Sequence, residues 1–147
     1  MAVTSDESRV FSCSKDSSVL SHDAETGQRF TLKPTWTSTS ASTLSPTTAE
    51  VLAIAISSDN KFVACGGRDK LIHVFDPRQP GEVHAFPGHR DAVTCLAFRR
   101  DSPSLFSGSL DRCIKHWDVK EMGYIETMFG HQVSISMHTY IYVDMQY

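Results

Sequence analysis

Three stretches of the chain carry aspartates at one fixed spacing. Asp6, Asp16 and Asp23 form the first set, Asp59, Asp69 and Asp76 the second, and Asp101, Asp111 and Asp118 the third, with steps of 10 and 7 residues each time. Gly88-His89 and Gly130-His131 recur 42 residues apart, and the third set closes on Trp117-Asp118. A period near 40 residues means one supersecondary unit used again and again. Such a unit cannot bury its apolar face alone and must stack on its neighbours. The chain therefore folds as an array of similar modules, each one leaning on the next.

The middle copy reads as strands. Val51 to Ile56 is a nearly continuous apolar run, as expected of an inner strand covered on both faces. Ser57-Ser58-Asp59-Asn60 is a turn, Phe62 to Cys65 a second strand, Gly66-Gly67-Arg68-Asp69 a second turn, and Leu71 to Phe75 a third strand. Pro77 and Pro80-Gly81 punctuate the exit before a short outer strand, Val83 to Phe86, where lost ladder bonds are tolerated. The third copy repeats the scheme with strands at Ala92–Phe98, Ser104–Gly108, Cys113–Trp117 and Tyr124–Phe129. Four short strands per repeat with turn residues between them predict an all-β architecture.

The other parts depart from this scheme. The first copy starts near its first turn, lacks an inner strand, and carries His22-Asp23 where the third has Trp-Asp. Eleven extra residues separate it from the second copy, and they map to Thr35–Thr48, where 10 of 14 residues are Ser or Thr. That composition predicts a polar loop with no packing stripe. After His131 the alternation Val133-Ser134-Ile135-Ser136-Met137 suits one strand, but no further strand of the repeat follows. The expected organisation is a partial repeat over 1–33, a Ser/Thr-rich loop over 34–48, full repeats over 49–87 and 88–129, and a truncated repeat with a divergent tail over 130–147.

Composition places the chain among globular proteins, with 40% hydrophobic and 21% charged residues. No run of eighteen apolar residues occurs, so no transmembrane helix is expected, and Met1 to Asp6 shows no secretory signal. The formal charge of −3 is uneven: residues 61–120 hold 10 Lys/Arg against 7 Asp/Glu. Arg68, Lys70, Arg90, Arg99, Arg100, Arg112 and Lys115 supply most of that excess and fall at or near turns. These seven are the candidate contacts to RNA or an acidic partner, since Arg pairs bidentately with phosphate and carboxylate alike. Ordinary solvation is the competing reading for each. Cys13, Cys65, Cys95 and Cys113 show no zinc spacing and fall within expected strands, so they read as thiols in a reducing compartment. No metal or cofactor is expected.

Together, the Gly-His, the Ser-x-Asp turn and the terminal Trp-Asp resemble the WD40 repeat, one blade of a β-propeller. The resemblance implies an all-β WD40 propeller, partial, with about three blades of an expected seven. It also implies that His89, Ser109, Asp111 and Trp117 form a buried hydrogen-bonded tetrad that fixes the blade. Taken alone, Ser, His and Asp invite a hydrolase reading. No Gly-x-Ser-x-Gly elbow accompanies the serine, and eroded versions of the set recur in the other copies, so no catalytic residue is expected.

Non-consensus residues narrow the likeness. Ala55 through Ile72, Gly88 through Arg100 and Tyr124 through Gln132 resemble the WD40 proteins of the U3 small nucleolar ribonucleoprotein. That likeness implies a non-catalytic subunit that binds U3 small nucleolar RNA and the core proteins of the particle. It further implies a nucleolar place in small-subunit pre-ribosomal RNA processing, with no membrane and no small-molecule substrate. The alternative is a general WD40 adaptor, either a ubiquitin-ligase substrate receptor or a signalling scaffold.

Overall fold

Among the described residues, twelve strands form three four-stranded antiparallel sheets, each a meander with its strands in sequence order. The computed structural model describes residues 1–32, 50–78 and 82–131. The Ser/Thr-rich loop and the divergent tail lie outside the described residues. The first sheet comprises β1 (Ala2–Val3), β2 (Arg9–Cys13), β3 (Val19–Asp23) and β4 (Arg29–Leu32). The second comprises β5 (Val51–Ile56), β6 (Val63–Gly67), β7 (Ile72–Phe75) and β8 (Glu82–Phe86). The third comprises β9 (Val93–Phe98), β10 (Ser104–Ser109), β11 (Ile114–Asp118) and β12 (Gly123–Met128).

Three expectations need correction. The first copy does have an inner strand: the two residues of β1 pair with β2 at Ala2↔Phe11 and Val3↔Val10. Cys113 precedes β11 rather than lying within a strand. Gly66 and Gly67 were expected in a turn but complete β6, fully covered. Glycine suits these two places because the neighbouring chain comes so close. A Cβ on Gly67 would overlap the Glu50 carbonyl, and one on Gly66 would sit 2.8 Å from Val93 Cγ1. The inner strand of the next sheet can therefore lie directly against β6.

Stacking of whole sheets makes the core. Phe11, Val19 and Leu32 of the first sheet pack on Val51, Val63, Cys65 and Phe75 of the second. Ala64, Ile72, Val74 and Phe86 of the second pack on Val93, Leu105, Trp117 and Val119 of the third. The second sheet thus buries an apolar face on each side, one against the first sheet and one against the third, and burying each large side chain contributes about 1.5–3 kcal/mol. Turns lock one rim. Ser5 N donates to Asn60 Oδ1 (3.0 Å), Asn60 Nδ2 donates to Ser5 Oγ (2.9 Å), and Asp101 N donates to Ser58 Oγ (3.0 Å), so each sheet is tied to the next. The opposite rim carries the β6–β7 and β10–β11 turns.

Candidate functional site

The turn aspartates shape that opposite rim in the same way three times. Asp16 Oδ1 accepts from Ser18 N (2.9 Å), Asp69 Oδ1 from Leu71 N (3.3 Å) and Asp111 Oδ1 from Cys113 N (3.0 Å). A carboxylate that captures the amide two residues on makes a tight local turn. The residue between is forced to positive φ: 71° at Ser17, 68° at Lys70 and 68° at Arg112. A side chain in that left-handed region costs roughly 1–2 kcal/mol. In the second and third sheets the residue held there is a cation.

Beneath this rim lies a buried clasp. His89 Nδ1 lies 2.9 Å from Asp111 Oδ2, His89 Nε2 lies 2.7 Å from Ser107 Oγ, and Trp117 Nε1 donates to Ser107 Oγ at 2.8 Å. One proton assignment satisfies all of these at once. Neutral His89 donates from Nδ1 to the carboxylate and accepts at Nε2 from the Ser107 hydroxyl, whose oxygen accepts from the indole. Asp111 Oδ2 also accepts from Arg90 N (2.9 Å), which fixes the strap leading into β9. Burial holds the His89 ring below its usual pKa, opposed by the neighbouring Asp111 and assisted by Lys115. Burial alone would raise the Asp111 carboxyl, but the donors from Arg90 N, His89 and Cys113 N outweigh it and hold it below the usual range.

Ser109, expected as the tetrad serine, is not the residue in this place. Trp117 lies opposite Leu105 in the ladder, and its indole reaches two residues along β10, to Ser107. Ser109 sits past an irregularity in the β9–β10 pairing and serves the turn: its Oγ donates to Asp91 O (3.0 Å) and accepts from Asp111 N (3.1 Å). The signal for Ser107 was in the sequence as a ten-residue step back from Trp117. The same step links Ser12 to His22 in the first sheet, where Ser12 Oγ meets His22 Nε2 at 3.2 Å. In the second sheet it links Cys65 to Phe75. His73 was also missed. It is 2% exposed, and its Nε2 lies 2.5 Å from Asp69 Oδ2, so the middle turn aspartate gains a histidine from β7 instead of from a Gly-His strap.

Replacing Ser107 with Ala removes the acceptor of Trp117 Nε1–H and the donor to His89 Nε2 in a fully buried place. The expected cost is about 2–3 kcal/mol, against about 1 kcal/mol for Ser109→Ala, an equally buried serine whose partners are turn backbone groups in part-buried bonds. Urea denaturation of the two variants checks the order. Equal losses, or a larger one at Ser109, would contradict this account of the clasp.

The seven candidate cations fall into different surroundings. Arg68 Nε meets Glu50 Oε2 at 2.5 Å, a hydrogen-bonded pair that raises the guanidinium pKa further. Lys115 Nζ donates to Thr127 Oγ1 (2.6 Å) and lies 5.1 Å from the centroid of the Tyr124 ring. Arg99 and Arg100 sit on the β9–β10 turn, away from the others, and Arg100 approaches Asp101 at 3.9 Å. Lys70, Arg90 and Arg112 remain at the aspartate-turn rim with no ion pair among the described residues. The set is therefore not one patch.

The WD domain, G-beta repeat family model matches residues 38–76 and 81–118, more than half of the chain. The chain belongs to the WD40 repeat family. Its three sheets are blades of a partial propeller, and the solved structure of U3-55K superposes with a TM-score of 0.78 at 41% identity, covering 90% of this chain and 39% of that one. The chain is 37% identical over 142 residues to a U3 snoRNP-associated protein-like protein of Arabidopsis thaliana, covering 90% of this chain and 29% of that protein. It is 40% identical over 107 residues to the human U3 small nucleolar RNA-interacting protein 2, covering 73% of this chain and 22% of that protein. The chain thus spans less than a third of the length of these two curated relatives. It is a WD40 protein related to the U3-55K group.

Proposed function

We propose that this chain is part of a non-catalytic WD40 subunit of the U3 small nucleolar ribonucleoprotein. In this reading it binds U3 small nucleolar RNA and partner proteins in the nucleolus during small-subunit pre-ribosomal RNA processing. The similarity over 90% of the chain to proteins named for U3 carries the proposal. The clasp fits a scaffold role. His89, Asp111, Ser107 and Trp117 are occupied with one another, and His89 and Ser107 lie in the interior. Lys70, Arg90 and Arg112 then serve as phosphate or carboxylate contacts on the exposed rim.

Immunoprecipitation of the tagged gene product followed by sequencing of bound RNA tests the reading. U3 is expected among the most enriched small RNAs. Enrichment of proteins without U3 would sink the proposal and favour a general adaptor.

A further inference from the structure

The outer strand of the third blade carries an exposed aromatic ring that its own scaffold does not require. The position opposite the Trp-Asp aromatic is Arg29 in the first blade, Glu82 in the second and Tyr124 in the third, as the pairs His22↔Arg29, Phe75↔Glu82 and Trp117↔Tyr124 show. Three different residue types at one ladder position mean that propeller packing tolerates almost anything there. Yet Tyr124 is held firmly. Its hydroxyl bonds Thr127 Oγ1 at 2.7 Å, and its ring meets Trp117 edge-on at 5.5 Å between centroids. A register shift between His116 and Trp117 leaves Ile125 as an extra residue in β12, a bulge of the kind that re-aims side chains. More than half of Tyr124 (55%) stays exposed despite these contacts.

Positive charge adjoins the ring. The Lys115 ammonium lies 5.1 Å from its centroid, and the Lys115 stem runs beside Gly88, two residues before Arg90. At the ladder positions of Lys115 and Thr127 the second blade has His73 and Ala85, and the first has Leu20 and Thr31. The Lys–Tyr–Thr combination is thus found in one blade of the three.

We infer that Tyr124 is a stacking platform for an unpaired nucleobase, with Lys115 and Arg90 meeting the flanking phosphates. This rests on the RNA-binding reading above and adds to it a residue and a mode of contact. An exposed aromatic beside cations is the arrangement that single-stranded nucleic acid uses, with the base on the ring and the backbone on the charge. A ring already locked by its hydroxyl loses little conformational freedom on binding.

The test uses the full chain, fluorescent single-stranded RNA oligonucleotides of mixed sequence, and anisotropy titrations at several salt concentrations. Tyr124→Phe keeps the ring and should bind within about threefold of the parent. Tyr124→Leu keeps apolar contact with Trp117 but should weaken binding roughly 5- to 100-fold with an unchanged thermal melt. Lys115→Gln should reduce the slope of log affinity against log salt by about 0.7, as for one lost phosphate contact. Phe30→Leu, at another exposed aromatic on the first blade, should leave binding unchanged. Photo-crosslinking with a 4-thiouridine oligonucleotide, independent of any substitution, should label the peptide that contains Tyr124. Parental affinity in Tyr124→Leu, an equal loss in Phe30→Leu, or crosslinks only elsewhere would overturn the platform and leave RNA binding intact. A parent chain that binds no RNA would remove the RNA-binding reading itself, and the platform with it.

Discussion

Trp117→Ala is expected to destabilise the chain by about 3–5 kcal/mol, the range for removing a large aromatic from a packed core. The residue is 1% exposed and serves several neighbours at once. It lies 5.1 Å from Phe86 of the second blade, so its loss opens the interface between blades. It meets His89 edge-on at 6.3 Å, and its Nε1–H holds Ser107 in the clasp. Truncation therefore leaves a cavity and also frees a buried hydroxyl. Trp117→Phe separates these effects: it keeps most of the volume and removes only the donor, with an expected cost of about 1–2 kcal/mol. Chemical denaturation of both variants checks the prediction. A loss below about 1 kcal/mol for Trp117→Ala would mean that the second and third blades are not coupled through this side chain.

Much of this arrangement was legible in the sequence, and the reasons are physical. The aspartate spacing sets the distances between turns, and turn chemistry is local, so the two full repeats could be laid out strand by strand. What was lost was the identity of partners across strands. Choosing Ser107 over Ser109 depends on how far an indole leans along the neighbouring strand, and a one-dimensional motif does not show that. His73 was hidden for a similar reason. Position 73 reads as part of an apolar strand, and only the fold shows that its ring turns back to Asp69. Gly66 and Gly67 look like a turn by composition, because the approach of Glu50 and Val93 that requires them comes from distant or differently folded chain. The cations were found, but not their employment: that Arg68 is engaged by Glu50 while Arg90 is not depends on tertiary placement.

Asp111→Ala should cost about 3 kcal/mol or more, and acid should act on the intact chain through the same group. The carboxylate accepts from Arg90 N, His89 Nδ1 and Cys113 N, so the substitution leaves three donors to find water or new partners. Its folded-state pKa lies below the ordinary 3.8, so the stabilisation is present above about that pH and is lost as pH falls further. His89 acts earlier. Its pKa is depressed below the ordinary 6.5 by burial, so the unfolded chain takes up a proton more readily than the folded one, and stability falls as pH drops below about 6.5. The clasp explains the penalty. An imidazolium would present a second N–H to Ser107 Oγ, which already accepts from Trp117, and the hydroxyl would have to turn to Lys115 O at 3.4 Å. Denaturant midpoints measured from pH 7.5 down to 4.5 should therefore decline, with part of the decline absent in His89→Gln. An identical pH dependence in parent and variant would mean that His89 has the same pKa folded and unfolded, while a parent that gains stability over His89→Gln as pH falls would mean that the folded state holds the imidazolium, and the proton assignment of the clasp would have to be reversed.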